Sequence, residues 1–312
     1  MSIERIIEYP VAILLISLLV DVIIGDPNTL HPVRGIGILI EKLEPLFYGM
    51  KNKVLGGSLL IFTVSFSILL VLSVIINLSS INYILFLIIS GLILKSTFAL
   101  KSMKAHIDPV IISLKKGDIA GAQVGISRIV RRDVSALQEP LICSAAIESI
   151  SEGFVDGYAN SIFFFSIAGL MGAMFARIAS TFDSMIGYND ERYAKFGRAA
   201  AYLDTAINFF PARLSALIFS VSAITMGLPS WKYSDLMEAK REVKSVNAGW
   251  PMGSFALMLG VRLEKVGSYV INKSGRMPTV EDVDVAMKIF RRSSALYLLI
   301  AAFPILLIIS FI

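Results

Sequence analysis

Four stretches of this chain, residues 10–25, 55–77, 81–100 and 294–312, run almost without charge. Each is close to the roughly 17–25 residues a helix needs to cross a hydrocarbon core, where only helices and closed barrels satisfy their own backbone polar groups. The overall balance agrees. Hydrophobic residues make up 55% of the chain and charged ones 17%, and the mean hydropathy of +0.73 lies far above that of soluble domains. The sequence therefore predicts an all-α integral membrane protein with about four transmembrane helices. The first window is expected to be a retained span, because its apolar run lacks the small-residue cleavage site of a signal peptide.

The net charge of +5 reads as topology rather than as a nucleic-acid footprint, since Lys and Arg of membrane proteins collect on cytoplasmic loops. Residues 228–293 hold eleven of them, residues 101–160 seven, and residues 26–54 four, while 78–80 hold none. Four spans then place these three polar segments in the cytoplasm and both chain ends outside. Two further apolar stretches, 161–179 and 206–227, contain Arg177, Pro211 and Arg213 and suit lipid poorly. They are expected to be two membrane-embedded or re-entrant helices, neither crossing fully. The cytoplasmic segments are expected to be helical, with Pro140 marking a start and Gly153 and Gly157 marking breaks. No alternating run predicts a strand, and no linker or repeat divides the chain, so residues 1–312 are expected to form a single domain. Cys143 stands alone, excludes an internal disulfide, and is expected to be a buried apolar residue.

Against this apolar background, clusters of ionisable residues mark candidate chemistry. "DVIIGDPNTLHPVRGIG" offers Asp21, Asp26, His31 and Arg34 among glycines and prolines that suit a rigid polar pocket. In "EPLICSAAIESISEGFVDG", Glu148 and Glu152 share a helix face, and Asp156 extends the row if the helix persists. Three stacked carboxylates repel one another unless a cation lies among them, and Mg²⁺ takes carboxylate oxygens while bridging substrate phosphates. A solvated acidic face is the alternative. "STFDSMIGYNDERYAKFG" places Asp183, Tyr188, Asp190, Glu191, Arg192 and Lys195 between apolar runs, and Asp204 and Arg213 follow inside apolar sequence, where ionisable groups are usually functional. "KREVKSVNAGWPMGS" adds a turn at Asn247, Gly249 and Pro251. There is no GxxxxGK[ST] loop to cradle a nucleotide.

"GDPNTLHPVRGIG", "ESISEGFVDG", "TFDSMIGYNDERYAKFG", "LDTAINFFPARLSAL" and "SVNAGWP" together resemble, in order and spacing, the CobD/CbiB family of cobalamin biosynthesis, over residues 21–260. The resemblance implies an adenosylcobinamide-phosphate synthase, a membrane enzyme that joins adenosylcobyric acid to (R)-1-aminopropan-2-ol O-phosphate or a close relative as ATP is hydrolysed. It implies ATP as co-substrate, Mg²⁺ as cofactor, and membrane lipid but no nucleic acid as a partner, at a site facing the cytoplasm in the cell membrane. On the matching positions, Asp183, Glu152 and Asp26 are the expected catalytic residues, and Asp156, Glu152 and Asp183 the expected metal ligands. His31, Arg34, Arg213, Asn247, Gly249 and Tyr188 are the expected substrate contacts. Four positions depart from the family's usual residues: Gly153, Ser180, Thr205 and Val246 stand where the family has Asn, Asn, Asp and Pro. The competing readings are a non-catalytic corrinoid-binding membrane protein of the same fold, and a transporter. Retention of Asp26, Glu152, Asp156 and Asp183 favours catalysis, and the absence of a paired half-repeat disfavours transport.

Overall fold

The computed structural model describes residues 3–26 and 32–310. They are helical apart from connections and one small hairpin, so the chain is an all-α integral membrane protein. Among the described residues, four helical runs are long and apolar enough to cross a membrane: Lys53–Ser79, Tyr83–Lys115, Glu139–Ile186 and Val280–Ile309. Three of them overlap the expected spans 55–77, 81–100 and 294–312. The expected window 10–25 falls on the helix Ile3–Ile23, whose described apolar part is Tyr9–Ile23, while a further long apolar run holds residues 161–179. That run is not a plain helix. It carries a π-helical turn at Val155–Ala159 and a break at Ala168–Gly169, where Gly169 adopts φ 61 and ψ −153, a region open essentially to glycine. The other doubtful stretch, 206–227, falls on two helices, Arg198–Ile207 and Phe209–Thr225, instead of one.

The chain forms two compact units, one of Met1–Ala99, Asn160–Asn208 and Ala302–Ile312, the other of Leu100–Ala159 and Phe209–Ala301. In the first, helix starts follow from local chemistry. The side chains of Asn52 and Asn82 accept from the N–H of Leu55 and Leu85, each at 3.1 Å, satisfying donors that a helix leaves open. The core joins Ile36 and Ile40 of the helix Pro32–Tyr48, Leu60 and Val64 of Lys53–Ser79, Ile178 and Phe182 of Asn160–Ile186, and Phe196. Two glycines set how closely these elements approach. A Cβ on Gly57 would lie 1.8 Å from the Phe196 carbonyl oxygen, and one on Gly197 would lie 1.6 Å from that of Ile186. The opposite face of Lys53–Ser79 exposes Phe62, Phe66, Leu70, Val74 and Leu78, an i, i+4 stripe that suits lipid.

The second unit is organised around Phe154, fully buried. Its ring meets those of Tyr158, Phe219, Phe290 and Tyr297 edge-on with centroids 4.7–5.9 Å apart, and Phe219 in turn meets Phe255 at 4.8 Å. Such pairs each add about 0.5–1.5 kcal/mol beyond burial. Cys143 is buried, as expected. The helix Glu139–Phe154 starts at Pro140, also as expected, because a proline loses nothing at the first turn. The absence of strands, however, is overturned: Leu263–Lys265 pairs antiparallel with Tyr269–Ile271. The Ser268 N–H bonds to the Lys265 carbonyl at 2.9 Å, and Gly267 at φ 73 supplies the turn's positive φ.

Candidate functional site

The first unit holds Asp26, Arg34, Asp183 and Tyr188; His31 lies outside the described residues. Asp26 is an ion-pair partner of Lys95. Lys95 is buried at the end of the helix Tyr83–Lys95 and also meets Asp21 at 3.1 Å. Two carboxylates around one buried ammonium are a locked structural group, since each charge needs the others. Arg34 is exposed on the first turn of the helix Pro32–Tyr48. Asp183 is half-buried near the end of the helix Asn160–Ile186, close enough to Asp204 for their charges to repel. Its carboxylate lies over Gly187, where a Cβ would come within 2.1 Å of Oδ1. Asp204 itself accepts a 3.0 Å hydrogen bond from Asn208. The Tyr188 hydroxyl donates to the Ser184 carbonyl.

The polar loop after Asp183 is tethered by a residue that the sequence reading did not single out. Glu44, buried on the helix Pro32–Tyr48, accepts from Arg192 at 2.7 Å and from the Tyr193 hydroxyl at 3.0 Å. Asp190 caps the short helical turn by accepting from the Tyr193 N–H at 2.8 Å. The hydrogen bond from Arg192 to Glu44 raises the guanidinium pKa, and burial, followed by the bond to Glu44, raises that of the Tyr193 phenol. Both therefore remain donors. Asp190, Arg192 and Tyr193 thus hold the loop in shape, with Asp183 at its head.

The second unit holds Glu152, Asp156, Arg213, Asn247 and Gly249, and it contains a cavity of about 490 Å³. Glu148 and Glu152 both line it, one helical turn apart. Asp156 does not, because the π turn begins at Val155 and interrupts the repeat that would have continued the row; its side chain is exposed. The two glutamates differ sharply in their partners. Glu148 accepts from Tyr269 at 3.0 Å, Arg132 at 3.3 Å and Ser144 at 3.1 Å. Burial, with Glu148 beside it, raises the Tyr269 phenol pKa, which keeps it a donor. Glu152 makes no hydrogen bond or ion pair among the described residues, yet Lys265 and Arg132 are near enough to attract it.

The cavity's cations come from three places. Arg132 sits before the helix Glu139–Phe154; its Nε and Nη1 are buried without a partner. Lys244 precedes the helix Gly249–Leu259, and Lys265 ends the first hairpin strand directly opposite Tyr269. Ser144 fixes the hairpin against the glutamate helix by accepting from the Glu264 N–H at 2.8 Å. At the same helix start, the Ser245 hydroxyl accepts from the Ala248 N–H at 3.1 Å. These residues were visible in the sequence only as topology charges in "IVRRDVS" and "KREVKS", and Lys265 and Tyr269 carried no motif. The hydrogen bonds of Glu148 lead directly to Arg132, Tyr269 and Ser144.

Arg213, Asn247 and Gly249 are brought together, but much of their bonding capacity is used internally. Arg213 donates to the Phe209 carbonyl at 2.6 Å and to the Asn247 side chain at 3.2 Å. Its guanidinium lies 3.5 Å from the Phe209 ring centroid and 4.9 Å from that of Trp250. Gly249 is required by packing, since a Cβ there would lie 2.8 Å from the Lys240 carbonyl oxygen. Among the described residues no three His, Cys, Asp or Glu side chains converge on a metal-sized site. Mg²⁺ held largely by substrate phosphates needs only one or two protein carboxylates. The Asp183–Asp204 pair fits that lesser demand.

Comparison with known proteins gives a consistent result. The family model described as CobD/Cbib protein matches residues 14–297. The "Probable cobalamin biosynthesis protein CobD" of Thermoplasma volcanium is 40% identical over 303 residues, covering 96% of this chain and 99% of that protein. The "Cobalamin biosynthesis protein CobD" of Dehalococcoides mccartyi is 35% identical over 294 residues, covering 93% and 95%, and the Methanocaldococcus jannaschii relative is 35% identical over 301 residues, covering 89% and 92%. No solved structure matches.

Proposed function

The chain belongs to the CobD/Cbib protein family, and from that membership we propose that it is an adenosylcobinamide-phosphate synthase. In this reading it forms an amide between a propionate of adenosylcobyric acid and an aminoalcohol phosphate, (R)-1-aminopropan-2-ol O-phosphate or a close relative, at the cytoplasmic face of the cell membrane. The observation that carries it is the pairing of an uncommitted Glu152 with uncommitted cations in one cavity. Ligation of a carboxylate to an amine needs both signs of charge.

The chemistry sets the roles. A carboxylate is a poor acyl donor, so its oxygen first attacks a phosphorus of ATP and forms an acyl phosphate or adenylate, with ADP or pyrophosphate leaving. The amine, having lost its ammonium proton, then attacks the acyl carbon, and phosphate or AMP leaves. Glu152 accepts that proton, and Arg132, Lys244 and Lys265 offer positive charge to the anionic groups. Asp183 and Asp204 are the residues that would hold Mg²⁺. When bound it would offset charge on the phosphoryl oxygens in transfer. Asp26 contributes through Lys95, as a structural charge.

Incubation of the detergent-purified protein with adenosylcobyric acid, Mg·ATP and the aminoalcohol phosphate tests this by mass spectrometry. The amide product supports it. Corrinoid that binds and emerges unmodified would favour the non-catalytic reading instead.

A further inference from the structure

The geometry points to the cavity of the second unit as the subsite for the amine substrate: a phosphate monoester that carries an ammonium group. This deepens the synthase reading and rests on it for the identity of the molecule, though not for the chemistry recognised. Arg132, Lys244 and Lys265 surround a cavity of about 490 Å³, well within the usual range for small-molecule pockets. Neither lysine has an ion-pair partner among the described residues, and two buried Arg132 nitrogens donate to no described acceptor. Ser245 and Ala248 bring the start of the helix Gly249–Leu259 to the same wall, and a helix N-terminus adds further positive potential. A doubly charged phosphate is the small anion that uses three cations at once.

Glu152 decides which phosphate. Both oxygens of Glu148 are taken by Arg132, Tyr269 and Ser144, so the cavity offers one free carboxylate and not the pair that would favour a metal. A single carboxylate beside a cationic cluster complements a zwitterion, with the phosphate on the cations and the ammonium on Glu152. ATP without its metal has no positive group to place there and would set its own charge against Glu152. The amine is thereby held beside the group that takes its proton.

Calorimetric binding to the detergent-solubilised full chain separates the possibilities, with four probes: aminopropanol phosphate, the same phosphate monoester without its amine, inorganic phosphate, and Mg·ATP. Lys244 and Lys265 are exposed, so Lys244→Ala and Lys265→Ala keep the fold. Each is expected to weaken the three small phosphates about tenfold, the loss of a charge-assisted bond, with Mg·ATP unchanged. Glu152→Gln is expected to erase the preference for the amine-bearing phosphate over its amine-free analogue. Weakened Mg·ATP with unaffected small phosphates would assign the cavity to the nucleotide and overturn the proposal, as would an unchanged preference in Glu152→Gln. If the expected binding pattern holds but no amide forms with the wild-type chain, the synthase reading fails while the subsite stands.

Discussion

Glu148 and Glu152 are identical residues one turn apart, and only their partners distinguish a structural charge from a chemical one. Replacing Arg132 by Met would leave Glu148 buried with two neutral donors and only the weaker attraction of Lys265 as counter-charge. A loss of about 3 kcal/mol is expected, read as a lowered unfolding midpoint in detergent. Tyr269→Phe removes one hydrogen bond from the same carboxylate and is expected to lower stability by about 1–2 kcal/mol. Lys95→Met should be more damaging than either, because it removes the buried ammonium that both Asp21 and Asp26 contact; the triple change with Asp21→Asn and Asp26→Asn should recover most of the loss. If the triple variant is no more stable than Lys95→Met, the locked-triad account of Asp26 is wrong. Asp183→Asn, by contrast, is expected to abolish ligation and leave the protein folded.

At the scale of elements, the sequence shows what depends on local pattern and conceals what depends on pairing across the chain. The long apolar runs, the Pro140 helix start and the disturbance near Gly157 were legible, because apolar length, proline and glycine act on their own neighbourhood. The hairpin was not, since strands of three residues are too short to show alternation. Nor was the π turn that removes Asp156 from the glutamate row, because glycine announces a break without saying which kind. The Glu44 tether and the Arg132–Glu148 pair join residues that are 148 and 16 positions apart, and no periodicity encodes such partners. Packing does not demand glycine at Gly153, since a Cβ there would meet only the movable Met103 methyl, at 2.2 Å. Gly197→Ala tests the loop closure most directly. Its Cβ would collide with backbone, so an unfolded or inactive protein is expected, whereas full activity would remove the close approach from the account.

The whole molecule combines lipid-facing helices with polar groups committed to one another, among them Glu44, Asp21, Asp26, Glu148, Arg192 and Arg213, which hold elements in place. In the second unit's cavity, Glu152, Lys244, Lys265 and two nitrogens of Arg132 keep capacity to spare among the described residues. Family membership names the pathway, but it is the distribution of unspent charge in the cavity that points to where an anionic, amine-bearing substrate would sit. The central claim is therefore that one chain makes the amide and that Glu152 is needed for it. The measurement is mass spectrometry of adenosylcobyric acid incubated with Mg·ATP, aminopropanol phosphate and either the wild-type protein or Glu152→Gln. The account predicts a product heavier by the amine minus one water from the wild type, and at most a trace from the variant. Equal product from both, or none from a wild type that binds corrinoid, would contradict it.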